Sequence, residues 1–556
     1  MRVALFFPPG WTLVTGSPHV ALPLLAGHLR AVGIDVWLRD LNIEAATAVG
    51  VKISGDSAGA GSAVGSLEAM NEPYFEAEDH LMKEARQFGG TWNAQLGFEF
   101  FDAPQRSSTQ SVEAISRCSP FTQFFEQSVL PEVARRQPDI IGMSIASTYQ
   151  LLPAFQLAHL LKTSGYEGFI VLGGNTITRL RRELAFPRLF DFVDGLVSFQ
   201  GERPFERLCH GVEHVGSLDL VPNLIWRDDG RVRENPTSPP SHPDAAVVPD
   251  YRDLDLAQYW GTHHLNLVGE RGCYYGQCSF CAIPYGWAEG GYAGGRSVSS
   301  VYDDIQVLIE RHDTRRFKFV DEALSPRFMR QLAERLLRDD VRIEWEGYTR
   351  FEPAWSDAAF VELVGRAGFR KGYFGLEILN SAHRPSLRKG DAPRVETLLT
   401  LAQDAGVRVH FFCMFGFPGT SSDDAERTAD FLLTHESVID TADIFPWTFA
   451  KHTTVAGVEP VVKVGQDWDL EFDHRPTRAG VLSRSEILEM TERHEERLWA
   501  CAPRLLHPLY RMTSPWTSDR FGHKERRGLN SIRGVGTAGD AATSQPTTSY
   551  TSSISR

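Results

Sequence analysis

No run of 18 consecutive apolar residues occurs in the 556-residue sequence, which argues against a membrane-spanning helix. The apolar opening, MRVALFFPPGW, is too short for a secretory signal and runs into Pro-Pro. It reads instead as a buried strand, and the expected location is cytoplasmic, with no membrane partner. Cationic excess is lacking too. Lys+Arg number 57 against 71 Asp+Glu, a formal charge of −14, which argues against broad nucleic-acid binding. Cysteine is scarce. Seven cysteines, an odd number, do not make a disulfide framework. No repeat of solenoid period is present. What remains is a chain 42% apolar and 23% charged, ordinary for a globular protein of about two to four domains.

Residues 1–240 read as an α/β unit. Arg2–Phe7 has strand character, Val20–Val32 a helical apolar pattern, and Ile34–Leu41 alternates. Asp139–Ala146, Gly168–Leu172 and Gly195–Phe199 are further strands, with helices at Leu151–Thr163 and from Pro204. Such alternation predicts a doubly wound, Rossmann-like parallel sheet that binds ligands beyond the carboxyl ends of its strands. Residues 48–110 read as an insertion with some helix. Asn223–Asn235 reads as a hairpin turning at Asp229-Gly230. A Pro-rich stretch, Pro236–Pro249, leads into a linker placed at 241–262.

Residues 263–455 read as a second βα series. Its strands are Leu265–Val268, Phe317–Val320, Ile343–Tyr348, Tyr373–Ile378, Val407–Phe415 and Ala442–Phe449. Helices at Val298–Arg311, Arg327–Leu337, Asp357–Ala367, Arg394–Ala405 and Asp423–His435 fill the gaps. Six βα steps are too few for the eight-stranded barrel and predict an open, partial (β/α)6 barrel. Residues 456–515 read as a small, mainly helical appendage, with Trp468 and Trp499 as candidate substrate contacts. The tail, 516–556, reads as disordered, since ten of its last twenty residues are Ser or Thr.

Three cysteines cluster at the carboxyl end of the first barrel strand. RGCYYGQCSFC (residues 271–281) spaces Cys273, Cys278 and Cys281 as C-x4-C-x2-C. A structural zinc site needs four ligands, and no fourth Cys or paired His stands nearby. A [4Fe–4S] cluster usually takes four Cys, so three leave one iron open for a substrate or cofactor.

The cluster resembles that of radical S-adenosylmethionine (SAM) enzymes, whose usual spacing is C-x3-C-x2-C. The extra residue in the first gap is similar to cobalamin-associated members. The resemblance covers roughly residues 1–450, and it implies a [4Fe–4S] cluster on Cys273, Cys278 and Cys281. Phe280 matches the aromatic position that packs beside the SAM adenine. FVDEALS (319–325) ends the second strand, where the family faces the SAM amino group, so Asp321 or Glu322 is the candidate. Arg350 in YTR is the candidate for the SAM carboxylate or ribose, and Glu377 in YFGLEIL points into the barrel. RKG (388–390) and MFGFPGT (414–420) resemble later family segments, although the usual Glu after the latter's Pro-Gly is absent.

The N-terminal unit resembles the cobalamin-binding domain of the same branch. Matching pieces are PPGW, GMSIASTYQ (142–150), VLGGNT (171–176) and FQGERP (199–204). The resemblance places cobalamin against Ser144, Ser147, Thr148, Gly173, Gly174, Gly201 and Glu202. The Asp-x-His-x-x-Gly motif, whose His coordinates cobalt elsewhere, is absent, so no lower axial ligand is assigned.

The activity so implied is a cobalamin-dependent radical SAM C-methyltransferase. Its substrate is a small-molecule, carrier-bound or peptide natural-product (antibiotic) intermediate, and its reductant is a flavodoxin or ferredoxin. The alternative is a cobalamin-binding radical SAM enzyme that catalyses a non-methylating cyclisation or rearrangement. A cobalamin sensor without catalysis is disfavoured by the cysteines.

Overall fold

The structure, a computed structural model, describes residues 1–11, 17–49, 80–93, 97–102, 107–213, 218–259, 264–287, 292, 294–380, 384–390, 394–453, 455, 458, 469–474 and 482–506. Trp468 and the tail at 516–556 lie outside them.

Two sheets carry the architecture. The first has the order β2-β1-β5-β6-β7-β8-β9. Its strands are β1 (Arg2–Phe7), β2 (Asp35–Asp40), β5 (Ile140–Ser144), β6 (Phe169–Gly173), β7 (Gly195–Val197), β8 (Leu224–Asp228) and β9 (Arg231–Glu234). The first five are parallel. They are Val/Ile/Leu-rich and nearly continuously buried, because helices cover both faces. The chain winds outward from β1 to β2, then returns to place β5 on β1's other side. That reversal opens a crevice at the carboxyl ends of β1 and β5.

The expected hairpin forms, with Asp229 (φ 46°) and Gly230 (φ 75°) both left-handed in its turn. It does more than cap the unit. β8 pairs antiparallel with β7, so the hairpin extends the sheet. The 48–110 insertion contains, besides helix, an unanticipated antiparallel pair, β3 (Gly90–Asn93) and β4 (Gly97–Phe100). Trp92, Phe98 and Phe100 from this pair are buried in the domain core. Residues 50–79 of the insertion lie outside the described residues.

The second sheet has six parallel strands in the order β10-β13-β14-β15-β16-β17. They are β10 (Leu265–Leu267), β13 (Arg316–Leu324), β14 (Glu344–Thr349), β15 (Phe369–Glu377), β16 (Arg408–Phe415) and β17 (Thr441–Pro446). This is the expected partial barrel of six βα steps. Alternation sorts its side chains. Phe317, Phe319, Trp345, Phe369 and Phe411 join the core shared with the helices. Lys318, Glu346, Lys371, Tyr373 and His410 form a polar floor. Lys318 Nζ lies 3.3 Å from Glu346, Tyr373 donates to Glu346 (3.3 Å), and Lys371 pairs with Asp440 (2.7 Å). Buried charge on this scale is tolerable only when paired in this way.

The final expected strand, Ala442–Phe449, is broken. β17 stops at Pro446, and Phe449–Ala450 (β18) pairs instead with Asp473–His474 (β19). Beyond it the helix Arg484–Cys501 starts from a capping box, with Ser483 and Glu486 each satisfying the other's backbone N–H.

The linker is packed. Asp253 bonds Arg30 (2.5 Å) and the Leu38 N–H (3.0 Å), and Tyr259 donates to the buried Asp40 carboxylate (2.7 Å). Asn266 on β10 donates to the Pro18 carbonyl (2.8 Å). A second tie comes from the segment after the barrel. Lys451 donates to Glu183 (2.7 Å), and Asp469 accepts from the Ser108 backbone N–H (2.7 Å). Together they hold the carboxyl ends of the two sheets around one space.

Candidate active site

That space is a cavity of about 730 Å³. The barrel's contribution begins with the cysteine loop. Strand β10 leads through Gly269 to β11 (Glu270–Arg271), which pairs with β12 (Gly294–Gly295). Gly272 (φ 84°) and Gly276 (φ 60°) then turn the chain through conformations that a side chain disfavours. The segment between β15 and β16 straps the loop. Ser279 donates its N–H to the Leu387 carbonyl (3.0 Å) and its hydroxyl to Ser386 (3.0 Å), and Tyr275 donates to the Arg388 carbonyl (2.8 Å).

Cys273, Cys278 and Cys281 all line the cavity, and none is in a disulfide. Burial pushes the Cys281 thiol up to about 12 and raises Cys278 as well. Lys389 and Arg350 pull Cys278 the other way. Among the described residues no three His, Cys, Asp or Glu side chains gather tightly enough to chelate a single ion. Three thiols around one cavity fit a polynuclear iron–sulfur group, in which each thiolate binds a different iron.

Asp321 and Glu322, alternatives at the end of β13, part company in the structure. Both border the cavity, and the pairing of β13 with β14 shifts register around them. Asp321 is buried, and its Oδ1 accepts the backbone N–H of Gly269 (2.8 Å) and of Glu270. It therefore holds the approach to the cysteine loop. Burial, with the neighbouring Glu270, raises its carboxyl well above the usual range despite those two hydrogen bonds.

Glu377 has a partner that the sequence pattern did not assign. Lys389, from the RKG segment, makes a buried ion pair with it, and the two side chains are 10% and 7% exposed. Glu377 takes φ 62°, at a register shift between β15 and β16. Gly375 is small for the same reason, since a Cβ there would meet the Lys389 ammonium. Arg350 donates to the Lys389 carbonyl (2.6 Å), pairs with Glu352 (3.2 Å) and lies 3.5 Å from the Tyr275 ring centroid. Phe280 packs edge-to-face on Phe417 (6.3 Å) beside a cluster that holds Trp447 and Phe449.

The N-terminal unit closes the opposite side. Ser144, Gly173, Gly174, Gly201 and Glu202 line the cavity, whereas Ser147 and Thr148 do not. Ser147 is buried and caps the turn at Thr148–Gln150, accepting the Tyr149 N–H (3.3 Å). Gly174 is required by its backbone: at φ 103° a Cβ would strike the Ile145 carbonyl. Gly173 and Gly201 leave open space, with nothing nearer a Cβ than the Val197 carbonyl at 3.5 Å from Gly173. Glu202 opens the helix Glu202–Glu213 and pairs with Arg271 across the domains; burial opposes its ionisation, but Arg271 outweighs this and holds its carboxyl below the usual range. Arg271 stands two residues before Cys273, which is the one sequence signal for it. His19 and Arg179 also border the cavity, and no motif marked them.

Residues 269–432 match the Radical SAM superfamily family model. The chain carries a radical SAM domain. An uncharacterized methyltransferase of Pyrococcus horikoshii is 24% identical over 314 residues, 54% of this chain and 65% of that protein. An anaerobic magnesium-protoporphyrin IX monomethyl ester cyclase of Rubrivivax gelatinosus is 22% identical over 317 residues, 54% of this chain and 55% of that protein. The chain thus spans less than two thirds of either relative.

Among solved structures, the radical SAM methyltransferase TsrM of Kitasatospora setae, with cobalamin and a [4Fe–4S] cluster bound, matches at TM-score 0.53 and 14% identity, over 85% of each chain. The cobalamin-dependent radical SAM enzyme OxsB, with aqua-cobalamin bound, matches at TM-score 0.54 and 15% identity, over 89% of this chain and 56% of that one. The fold built here, a doubly wound sheet followed by a radical SAM barrel, is the fold of those enzymes.

Proposed function

We propose that this chain is a cobalamin-dependent radical SAM methyltransferase that delivers a methyl group to a carbon of a natural-product intermediate. The observation that carries the reading is the shared cavity. The three cysteines open onto it from the barrel, and the glycine-lined strand ends of the N-terminal sheet open onto it from the other side. Cys273, Cys278 and Cys281 hold the cluster. Phe280, Glu322, Arg350 and Glu377 border the SAM site, while Ser144, Gly173, Gly174, Gly201 and Glu202 border cobalamin. Cobalamin is known to bind two of the enzymes that share this fold.

The bound groups supply one-electron chemistry and a transferable methyl group; the protein supplies position and exclusion of water. Asp321 fixes the cysteine loop through two backbone N–H groups. Lys389 holds Glu377 against the barrel wall through a buried ion pair. Trp447, Phe445 and Phe412 give the cavity an apolar, aromatic face for a small or carrier-bound substrate. Among the described residues no helix is long and apolar enough to cross a membrane, and we place the enzyme in the cytoplasm with a flavodoxin or ferredoxin as reductant.

The test is anaerobic. The chain is reconstituted with iron, sulfide and cobalamin, supplied with SAM, reductant and candidate substrates, and its adenosyl products are followed by mass spectrometry. Methyl transfer yields S-adenosylhomocysteine, 5′-deoxyadenosine and a product heavier by one CH2. The second reading, a cyclisation or rearrangement, is favoured by the cyclase relative. It yields 5′-deoxyadenosine with neither homocysteine product nor mass gain.

A further inference from the structure

The crevice where the N-terminal sheet reverses direction holds one imidazole that no motif accounts for. His19 follows β1, in the loop leading to the helix Ala21–Ala31, and lines the cavity beside Val20, Leu24 and Leu25. Its ring is stacked on Phe7 (4.8 Å, 13°), and Trp11 meets it edge-on (5.4 Å, 82°). Two aromatic neighbours therefore fix the plane of the ring. Among the described residues its ring contacts are aromatic, and burial lowers its proton affinity from the ordinary 6.5 to about 4, so the ring is neutral at neutral pH.

A neutral imidazole has one donor and one acceptor nitrogen. Here Nδ1 is the acceptor, because it faces the backbone N–H of Ala21 at 3.3 Å. The proton must then sit on Nε2. A histidine that ligates a metal through Nε2 shows the opposite arrangement: its Nδ1–H donates to a carbonyl or carboxylate. The loop around His19 offers Nδ1 a donor instead.

We propose that His19 is a positioning residue that donates its Nε2–H to an acceptor oxygen of the cobalamin in this crevice and does not ligate cobalt. The acceptor class is a neutral carbonyl, since a neutral N–H in an apolar wall gains most from such a partner and cannot neutralise a full charge. The inference rests on the proposed function, which places cobalamin at this wall.

The test uses the cobalamin-free full chain titrated with cob(II)alamin under anaerobic conditions. Failure of wild type to bind at all sinks the cobalamin reading itself. Where wild type binds, His19→Phe keeps an aromatic ring on Phe7 but removes the donor, and weakens binding about fivefold, the effect of one neutral hydrogen bond. His19→Gln, which restores an N–H, recovers most of that loss. The iron–sulfur absorbance of both reconstituted variants stays at the wild-type level, which shows that they are folded. The electron paramagnetic resonance spectrum of bound cob(II)alamin does not change when histidine is labelled with 15N. Equal affinity for His19→Phe and wild type overturns the proposal. So does a nitrogen splitting that responds to the label, since it would make His19 a cobalt ligand.

Discussion

The loops that close the N-terminal sheet and those that close the barrel each bring a non-glycine residue at positive φ to the cavity. After β7 it is Phe199 (φ 63°); at the end of β15 it is Glu377 (φ 62°). A left-handed conformation is costly for either side chain and persists only when neighbours over-determine it. The neighbours differ. The Phe199 N–H is taken by the Thr178 hydroxyl (2.7 Å), with the Arg181 guanidinium 4.8 Å from its ring centroid. Glu377 is held by the Lys389 ammonium. The N-terminal wall is richer in glycine and backbone, with Glu202 paired across to Arg271, whereas the barrel wall adds three thiols and the Glu377–Lys389 pair to its aromatics. On the proposed reading, the first wall would hold its ligand chiefly by shape and single hydrogen bonds, and the second would add charge.

The largest effects should separate the two walls completely. Cys278→Ala is expected to abolish the iron–sulfur absorbance and all SAM cleavage while cobalamin still binds. Gly173→Leu, which fills open space at the strand end, is expected to do the reverse: the cluster remains and cobalamin binding is lost. Absorption spectra of the two reconstituted variants check both. Loss of both groups from either variant would break the comparison.

Charge should matter more to the barrel than shape. Lys389→Ala leaves Glu377 buried without its partner and should cost about 3 kcal/mol of stability, by the usual penalty for halving a buried pair. Lys389→Met combined with Glu377→Gln should recover much of that loss in a denaturant titration, because no unpaired charge is left behind. Equal losses in the single and double variants would show that the pair acts by packing alone.

A smaller effect attends Asp321. Asp321→Ala orphans the N–H groups of Gly269 and Glu270 and should cost about 2 kcal/mol. Asp321→Asn should be nearly neutral, since burial already favours the uncharged acid and the amide oxygen still accepts both bonds. Iron content after reconstitution reads the same contrast, because the cysteine loop begins at these two residues.

The effect that is smallest at neutral pH is a pH slope that originates in the N-terminal wall. On folding, His19 goes from an ordinary 6.5 to about 4. Between those values the unfolded chain binds the extra proton, so stability falls as pH drops from about 6.5 toward about 4. His19→Phe should flatten that part of the profile of Tm against pH, measured on the cofactor-free chain.

Several features were legible without coordinates because their signal is local. The spacing of Cys273, Cys278 and Cys281 lies within nine residues of chain. The barrel strands announce themselves as short apolar runs between helical segments, and Asp229-Gly230 marks its own turn. The partners of these features were not legible. Lys389 stands twelve residues from Glu377, and Glu202 stands 69 from Arg271. The β3–β4 pair was hidden by weak periodicity in the insertion, although its aromatics are core residues. The resemblance sets Ser147 against cobalamin, yet its hydroxyl caps a turn, as Ser often does.

By itself the amino-acid sequence determined the two α/β units, their order and the cysteine loop, all of which follow from patterns shorter than one βα step. Only the tertiary structure decided which side chains face the shared cavity and which carboxylate of the Asp321–Glu322 pair holds the loop. Those outcomes depend on close approach between segments up to hundreds of residues apart. There a buried charge or N–H takes whichever partner the packing brings within hydrogen-bond reach.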